Sequence, residues 1–259
     1  MRKFNWFKTC ISMVLFLALS AAKVSAETLV ESSVESRLYL AFQVQESDLQ
    51  SWLPDPWKVS PLTTGPSKSA NLTVIFVQTL LCENSEGKPS PSGGMARYVV
   101  LIVPAKHGQT GEESIFVTRV YTTDSNRIPG HYKNAVKADM RREFSLKVEN
   151  MEPGTGSDYW EMKEASGGTI KVQFAYKRSA LNRAKWERKI RSAIDPNLSY
   201  IYRVDQSAEL LKSVPAGVDQ LQSYEFRSTV PELSKLLNDS AKLVSVTEIP
   251  CYVLQVSQP

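Results

Sequence analysis

The sequence predicts a mainly β (α+β) protein, built as a large antiparallel β-barrel or a strongly curved double sheet with a few short peripheral helices. Apolar and polar residues alternate with a period of two through most of the chain, which is typical of half-buried strands. Segments with helical spacing are few and short. No low-complexity segment and no repeat at a solenoid period is present, so a single domain accounts for the pattern.

The predicted strands follow this alternation in chain order. In the first strand, apolar residues at every second position from Leu38 to Val44 share one face. The segment Tyr98–Val103 is apolar on both faces, as expected of a strand that is covered on both sides. We therefore predict strands around residues 38–44, 72–77, 98–103, 115–122, 144–148, 160–162, 170–176, 200–204, 221–227, 243–246 and 252–256.

Four short helices complete the prediction. Ser47 and Gln50 form a capping box, and Thr229 and Glu232 form a second one, so each pair marks the start of a helix. The other two helices are predicted over residues 183–194 and 207–212. The first of these continues the densest basic stretch of the chain, which begins at Lys177 and reads as a linker running into a surface helix. The alternative for that stretch is a patch that contacts an anionic ligand or a membrane surface.

The first 26 residues have the pattern of a secretory signal peptide. Arg2, Lys3 and Lys8 give a positively charged start, an apolar run covers residues 11–22, and small residues precede Glu27. The apolar run is shorter than the roughly 20 residues that span a bilayer, although a retained membrane anchor is the alternative. We expect a signal peptide at 1–26 and a single exported domain at 27–259, periplasmic or secreted, without stable membrane insertion.

Removal of that segment changes the charge balance. The whole chain has 31 Lys and Arg residues against 27 Asp and Glu residues. Residues 1–26 contain Arg2, Lys3, Lys8 and Lys23 and no acidic residue, so the predicted mature chain carries 27 residues of each sign. Nucleic-acid binding needs a concentrated cationic surface. The balance therefore predicts that nucleic acid is not a partner.

Cysteine and histidine are scarce. Cys82 and Cys251 remain in the mature chain, and in an oxidising compartment they form either one disulfide or two buried, unpaired thiols. The two histidines, His107 and His131, are far apart in sequence, so no zinc site is predicted. No nucleotide-binding loop, nucleophile elbow or metalloprotease helix motif occurs. We predict no metal and no cofactor.

One segment carries a distinctive arrangement. Residues 122–135 follow a predicted strand, and Pro129-Gly130 introduces a turn that aims Lys133 across the mouth of the predicted barrel. This segment resembles the lysine-bearing loop of the acetoacetate decarboxylase-like superfamily, with Gly130 at the second glycine of the motif and Lys133 at its first lysine. The resemblance covers residues 36–135 and includes Arg37-Leu38-Tyr39-Leu40, Asp48-Leu49, Leu53-Pro54, Tyr98 and Val103-Pro104.

The resemblance implies an exported enzyme in which Lys133 is catalytic. Lys133 would form a Schiff base with a small keto acid or other carbonyl metabolite, as in a decarboxylase or an aldolase-type lyase. Arg37 or Arg127 would then hold the substrate carboxylate, because a guanidinium matches a carboxylate in bidentate geometry. Tyr98 would also bind the substrate. The implied partner is a small molecule, and a homo-oligomer is left open.

The chain departs from the family at the positions that tune the lysine. Asn134 occupies the place of the second lysine, which lowers the pKa of the nucleophile, an activation for which acetoacetate decarboxylase itself is the usual example. Val100 lies near the place of a family glutamate, and Arg127 near that of a second acidic residue. The alternative hypothesis is a non-catalytic β-barrel that binds a small apolar or acidic metabolite, with Lys133 as a loop cation.

Overall fold

The computed structural model describes residues 27–89, 96–124, 132–148 and 154–259. The predicted signal peptide at 1–26 and the predicted site residue Arg127 lie outside these ranges. Within the described ranges, no helix is long and apolar enough to cross a bilayer.

Strands dominate the described residues, as the alternation predicts. The strands are β1 (Thr28–Gln43), β2 (Trp57–Val59), β3 (Leu72–Asn84), β4 (Arg97–His107), β5 (Glu113–Thr122), β6 (Ala135–Lys147), β7 (Thr155–Glu164), β8 (Thr169–Lys177), β9 (Asn182–Ser192), β10 (Ser199–Ser213), β11 (Val218–Asp219), β12 (Leu221–Ser228) and β13 (Lys242–Gln258). The helix α1 spans Glu46–Gln50, and a 3-10 helix spans Pro231–Leu233.

Seven strands close into a barrel. Hydrogen-bonded neighbours run in the order β5, β9, β10, β13, β1, β3 and β4, and β4 pairs again with β5. All of these pairings are antiparallel except β5–β9, which is parallel and joins Ile115–Val117 to Ile190–Ser192. The fold-class prediction is confirmed: the protein is mainly β, with a strongly curved sheet and short helices.

A second layer covers part of the outside of the barrel. The strands β6, β7, β8 and β12 pair with one another, and a short parallel pairing of β6 with β5 joins this layer to the barrel. The apolar core lies between the layer and the outer faces of β1, β3 and β4. Phe76 of the barrel, for example, has its ring 5.6 Å from that of Trp160 on β7.

A buried ionic cluster fastens the layer to the barrel at the edge of this core. Arg142 on β6 donates to both carboxylate oxygens of Asp158 on β7, at 3.1 and 2.7 Å. The same guanidinium also donates to Ser36 on β1 at 3.0 Å and to Gln78 on β3 at 3.2 Å. Asp158 is 1% exposed, and its burial raises the pKa of the carboxyl group despite Arg142. The cluster therefore ties the two layers together with charge-assisted hydrogen bonds.

The helix predictions are only partly correct. The α1 helix and the 3-10 helix lie at the two predicted places, but the capping boxes do not form: the N-cap residues are Gln45 and Val230, without a side-chain capping hydrogen bond. The helices predicted over 183–194 and 207–212 are wrong, because those residues belong to β9 and β10. The β9 strand is exposed along most of its length, with Trp186 and Ile190 turned inward, and Arg183 pairs with Ser207 across the ladder. Pairing with β10 therefore overrides the weak helical spacing.

Of the two alternatives for the cysteines, the disulfide is absent, and only one of the two thiols is buried. Cys82 is buried on β3 and Cys251 is exposed on β13, and no bond joins them. The strand β1 lies between these two strands, with Ser33 opposite both Cys82 and Leu254. Two strand spacings amount to roughly 9–10 Å, whereas bridged cysteines have Cα atoms less than about 7 Å apart.

Candidate functional site

The inner faces of the barrel strands line a cavity of about 70 Å³. Its walls are mainly apolar, with aromatic side chains and one pair of charged groups. They are formed by Glu35, Arg37, Tyr39, Ile75, Val77, Val100, Ile102, Ile115, Val117, Trp186, Ile190, Tyr202, Tyr252 and Leu254. A cavity of this size has room for about two waters or a molecule of a few heavy atoms.

The charged pair comes from alternate positions of β1. Glu35, Arg37 and Tyr39 face the cavity, whereas the intervening Leu38 and the following Leu40 belong to the core outside the barrel. This arrangement follows from strand geometry, because successive side chains point to opposite faces. One strand thus supplies both the polar groups of the cavity and a part of the core.

The guanidinium of Arg37 is surrounded by partners. Its Nε donates to Glu35 Oε2 at 2.6 Å, and its Nη1 donates to the Tyr39 hydroxyl at 3.1 Å. The face of the guanidinium lies 3.6 Å from the centre of the Tyr252 ring, which is a cation–π geometry. Ser33 donates to the other oxygen of Glu35 at 2.9 Å. The pair is therefore a satisfied, buried ion pair.

Two buried tyrosines complete the polar lining. Burial raises the pKa of both Tyr202 and Tyr252, so both phenols stay protonated at neutral pH. Trp186 on β9 packs against Tyr252, with ring centres 6.2 Å apart, and contributes an aromatic wall. A protonated phenol donates a hydrogen bond and also accepts one, so this end of the cavity suits a carbonyl or hydroxyl group.

Lys133 does not point into this cavity. It lies between β5 and β6, and its Nζ forms an ion pair with Asp195 of the β9–β10 connection at 2.7 Å. The lysine side chain is 63% exposed. The hydrogen bond and charge of Asp195 raise the pKa of Lys133, which favours the ammonium form over the nucleophilic amine.

The neighbours of Lys133 explain its orientation. Tyr132 is fully buried in the barrel interior, with its ring 5.4 Å from that of Tyr200. Asn134 is also buried, and its Nδ2 donates to the backbone oxygen of Val117 at 2.8 Å. Because both flanking side chains point inward, the lysine between them points outward. The described end of this loop thus presents a tyrosine to the barrel and the lysine to solvent, while the turn predicted at Pro129-Gly130 lies outside the described residues.

Comparison with solved structures identifies the fold. The enduracididine biosynthesis enzyme MppR complexed with pyruvate superposes with a TM-score of 0.58 at 6% identity, over 93% of both chains. An acetoacetate decarboxylase-like enzyme from Sphingomonas wittichii RW1 gives 0.52 at 12% identity, over 89% of this chain and 91% of that one. Acetoacetate decarboxylase from Legionella pneumophila gives 0.51 at 14% identity, over 95% of this chain and 93% of that one. This chain has the acetoacetate decarboxylase-like fold. The structural likeness confirms the predicted resemblance at the level of the fold.

Comparison with known sequences does not extend this fold assignment. No family model matches the chain, and no curated protein matches it. With identities of 6–14% to the solved structures, the acetoacetate decarboxylase-like fold is shared while most side chains differ.

The three predicted site residues that the structure describes in this acetoacetate decarboxylase-like barrel do not all line the cavity. Arg37 lines the cavity, and Tyr98 is buried in the barrel interior but does not form part of the cavity wall. Lys133 lies outside the cavity, and Arg127 falls outside the described residues. Val100 lines the cavity where the resemblance places a glutamate, so that part of the wall is apolar.

The sequence analysis missed the partners that define the cavity. Glu35, Tyr202, Tyr252 and Trp186 were not predicted as site residues. A signal for Glu35 does exist, since a charged residue two positions from Arg37 in an apolar strand must share its buried face. The other three come from strands far away in sequence, and only the closure of the barrel brings them to β1.

Proposed function

We propose that this protein binds a small, largely apolar organic molecule inside the barrel. The observation that carries the proposal is the cavity inside the barrel, whose walls are mainly apolar and include a few buried polar groups. Ligand sites in proteins have this composition, because apolar contact supplies affinity and a few polar groups supply orientation. The similar fold of the enzyme MppR, whose structure contains pyruvate, supports a small-molecule role for this fold.

The proposal includes export. The support for it is the pattern of residues 1–26, in which a charged start, a short apolar run and a small-residue exit follow one another.

Filling the cavity is expected to weaken ligand binding. In Val100→Phe, a phenyl ring would occupy most of the 70 Å³ space, and we expect affinity for any ligand of the cavity to fall at least about tenfold. The measurement is saturation-transfer NMR with small uncharged ketones, amides and alcohols.

Val100→Ala is the matched control, because it enlarges the same space and should keep binding. Both variants are first checked for cooperative thermal unfolding. If no probe binds the wild type, or if Val100→Phe binds as well as Val100→Ala, the proposal fails.

A second candidate function is imine formation at Lys133. The observation that favours it is the backbone at this residue, whose φ of 63° is unusual for a residue other than glycine. Such conformations cluster at functional sites. The lysine also occupies the nucleophile position of the family loop that it resembles. Its exposure and its ion pair with Asp195 oppose this candidate, which requires the pair to open when substrate arrives.

Borohydride trapping tests the second candidate. Wild type, Lys133→Ala and Lys171→Ala are incubated with pyruvate and borohydride, and intact mass is measured. Lys171 is the matched control because it is an exposed lysine in an ion pair, with Glu161 at 2.9 Å. Imine chemistry predicts an adduct in wild type and Lys171→Ala that is lost in Lys133→Ala. No adduct in the wild type, or an adduct that persists in Lys133→Ala, removes Lys133 from consideration.

A further inference from the structure

We infer that the barrel cavity selects uncharged ligands that carry a carbonyl or hydroxyl group and discriminates against carboxylates. The inference rests on the proposed function, because it names the ligand class of the same cavity. It reverses the role that the resemblance implies for Arg37, which was the anchor of a keto-acid carboxylate.

The first argument is that Arg37 is already neutralised. Its Nε and Nη2 both lie 2.6 Å from Glu35 Oε2, and its Nη1 donates to Tyr39. The Tyr252 ring covers one face of the guanidinium at 3.6 Å. The side chains of Arg37 and Glu35 are 10% and 6% exposed. A carboxylate ligand would have to displace Glu35 from this pair, leaving a buried carboxylate without its partner, or bind beside a pair that has no net charge.

The second argument is the negative charge that is already present inside the barrel. A second buried carboxylate, that of Glu31, lies on the same face of β1 as Glu35. Burial is the main cause of the raised pKa of Tyr202, and the charges of Glu31 and Glu35 raise it further while Arg37 lowers it. The negative charges of Glu31 and Glu35 therefore already act on a phenol that lines the cavity. An additional buried negative charge is unfavourable in such a setting.

The third argument is what the cavity offers instead. The side chains that line it with polar atoms, besides the ion pair, are tyrosines, and the rest of the lining is aliphatic or the indole of Trp186. Neutral phenols donate to a carbonyl or exchange hydrogen bonds with a hydroxyl at little desolvation cost. A small amide, ketone or alcohol fits these groups, because its apolar part meets the aliphatic wall and its polar atom meets a phenol.

A pair of isosteric probes tests the inference. Isobutyramide and isobutyrate have nearly the same size and shape and differ in charge. At pH 7, we expect the wild type to bind isobutyramide at least about tenfold more tightly than isobutyrate, measured by calorimetry or ligand-observed NMR. If neither probe nor any other uncharged probe binds, the proposed function fails as well. If isobutyrate binds as tightly as the amide, the inference fails and the proposed function stands.

A charge-neutralising variant sharpens the test. Glu35→Gln keeps the shape of the side chain and removes the carboxylate that pairs with Arg37, so we expect the preference to move at least tenfold toward isobutyrate. Glu187→Gln is the matched control, because Glu187 also pairs with an arginine, Arg203, but outside the barrel at 56% exposure. A preference that is unchanged in Glu35→Gln, or that changes equally in the control, overturns the inference.

A measurement on the wild type alone keeps the test independent of any variant. If only the uncharged acid binds, the apparent affinity for isobutyrate must rise as the ligand becomes protonated, by about tenfold per pH unit between roughly pH 7.5 and 5.5. Isobutyramide has no charge to lose, so its affinity serves as the reference over the same range. An isobutyrate affinity that stays constant relative to that of the amide contradicts the inference.

Discussion

Replacement of Arg142 by methionine is expected to lower the free energy of unfolding by about 3–5 kcal/mol, because it removes one partner of a buried ion pair. Asp158 would keep its place at 1% exposure but would lose both guanidinium hydrogen bonds. Its remaining side-chain partner is the indole of Trp160, which donates at 3.0 Å. Ser36 and Gln78 would lose the same donor, so the barrel and its outer layer would be joined less firmly.

Urea unfolding at several pH values measures this effect. Burial already raises the pKa of Asp158, and loss of Arg142 raises it further. A carboxyl group with a raised pKa in the folded state stabilises the protein below its unfolded pKa, and this stability is lost as the pH rises through the folded pKa. The variant should therefore be closest to the wild type at acidic pH and furthest from it at neutral pH.

The matched control is Arg183→Met, which breaks an arginine–aspartate pair on the surface. Arg183 is 67% exposed and pairs with Asp205 across β9 and β10. Exposed pairs contribute little, so the unfolding midpoint of this variant should stay close to that of the wild type. A small effect of Arg142→Met, or one that does not depend on pH, would mean that the cluster does not hold the layers together.

The second large effect is expected at Gly156, where alanine should cost about 3 kcal/mol through overpacking. A Cβ at this position would lie 2.4 Å from Cζ of Tyr176, which faces it across the β7–β8 ladder. The tyrosine ring is fully buried, and its hydroxyl donates to Glu248, so the ring cannot move away without breaking a buried hydrogen bond.

Thermal and urea unfolding of Gly156→Ala provide the measurement. Ser157→Ala, on the exposed face of the same strand, is the control and should change stability by less than about 0.5 kcal/mol. Equal stabilities for the two variants would show that Tyr176 has more freedom than this packing allows.

The strands of this fold were predictable because their signal is local. The alternation of Leu38, Leu40 and Phe42 is visible within a short stretch of sequence, and these three side chains do lie in one core. The residues 243–246 and 252–256 were predicted as two strands and form one, β13, because the proline between them does not end the ladder. The helix predictions were wrong where the local signal was weak. In β9, for example, pairing with β10 decides the structure.

The site was less predictable, because its chemistry depends on contacts between distant segments. Arg37, which the resemblance selects as a substrate-binding residue, lines the cavity. It could not show that Glu35 already neutralises this arginine, since that depends on rotamers inside a closed barrel. It also could not place Lys133, whose partner Asp195 is 62 residues further along the chain. Which way the lysine points depends on the burial of Tyr132 and Asn134 on either side.

The two faces of β1 allow the ligand chemistry of this fold to evolve separately from its stability. Glu35, Arg37 and Tyr39 can be exchanged for other side chains while Leu38 and Leu40 continue to hold the outer layer. Each new set of inward residues is a new cavity on an unchanged scaffold. Proteins that share this barrel can therefore retain its architecture at 6–14% identity and differ in what they bind.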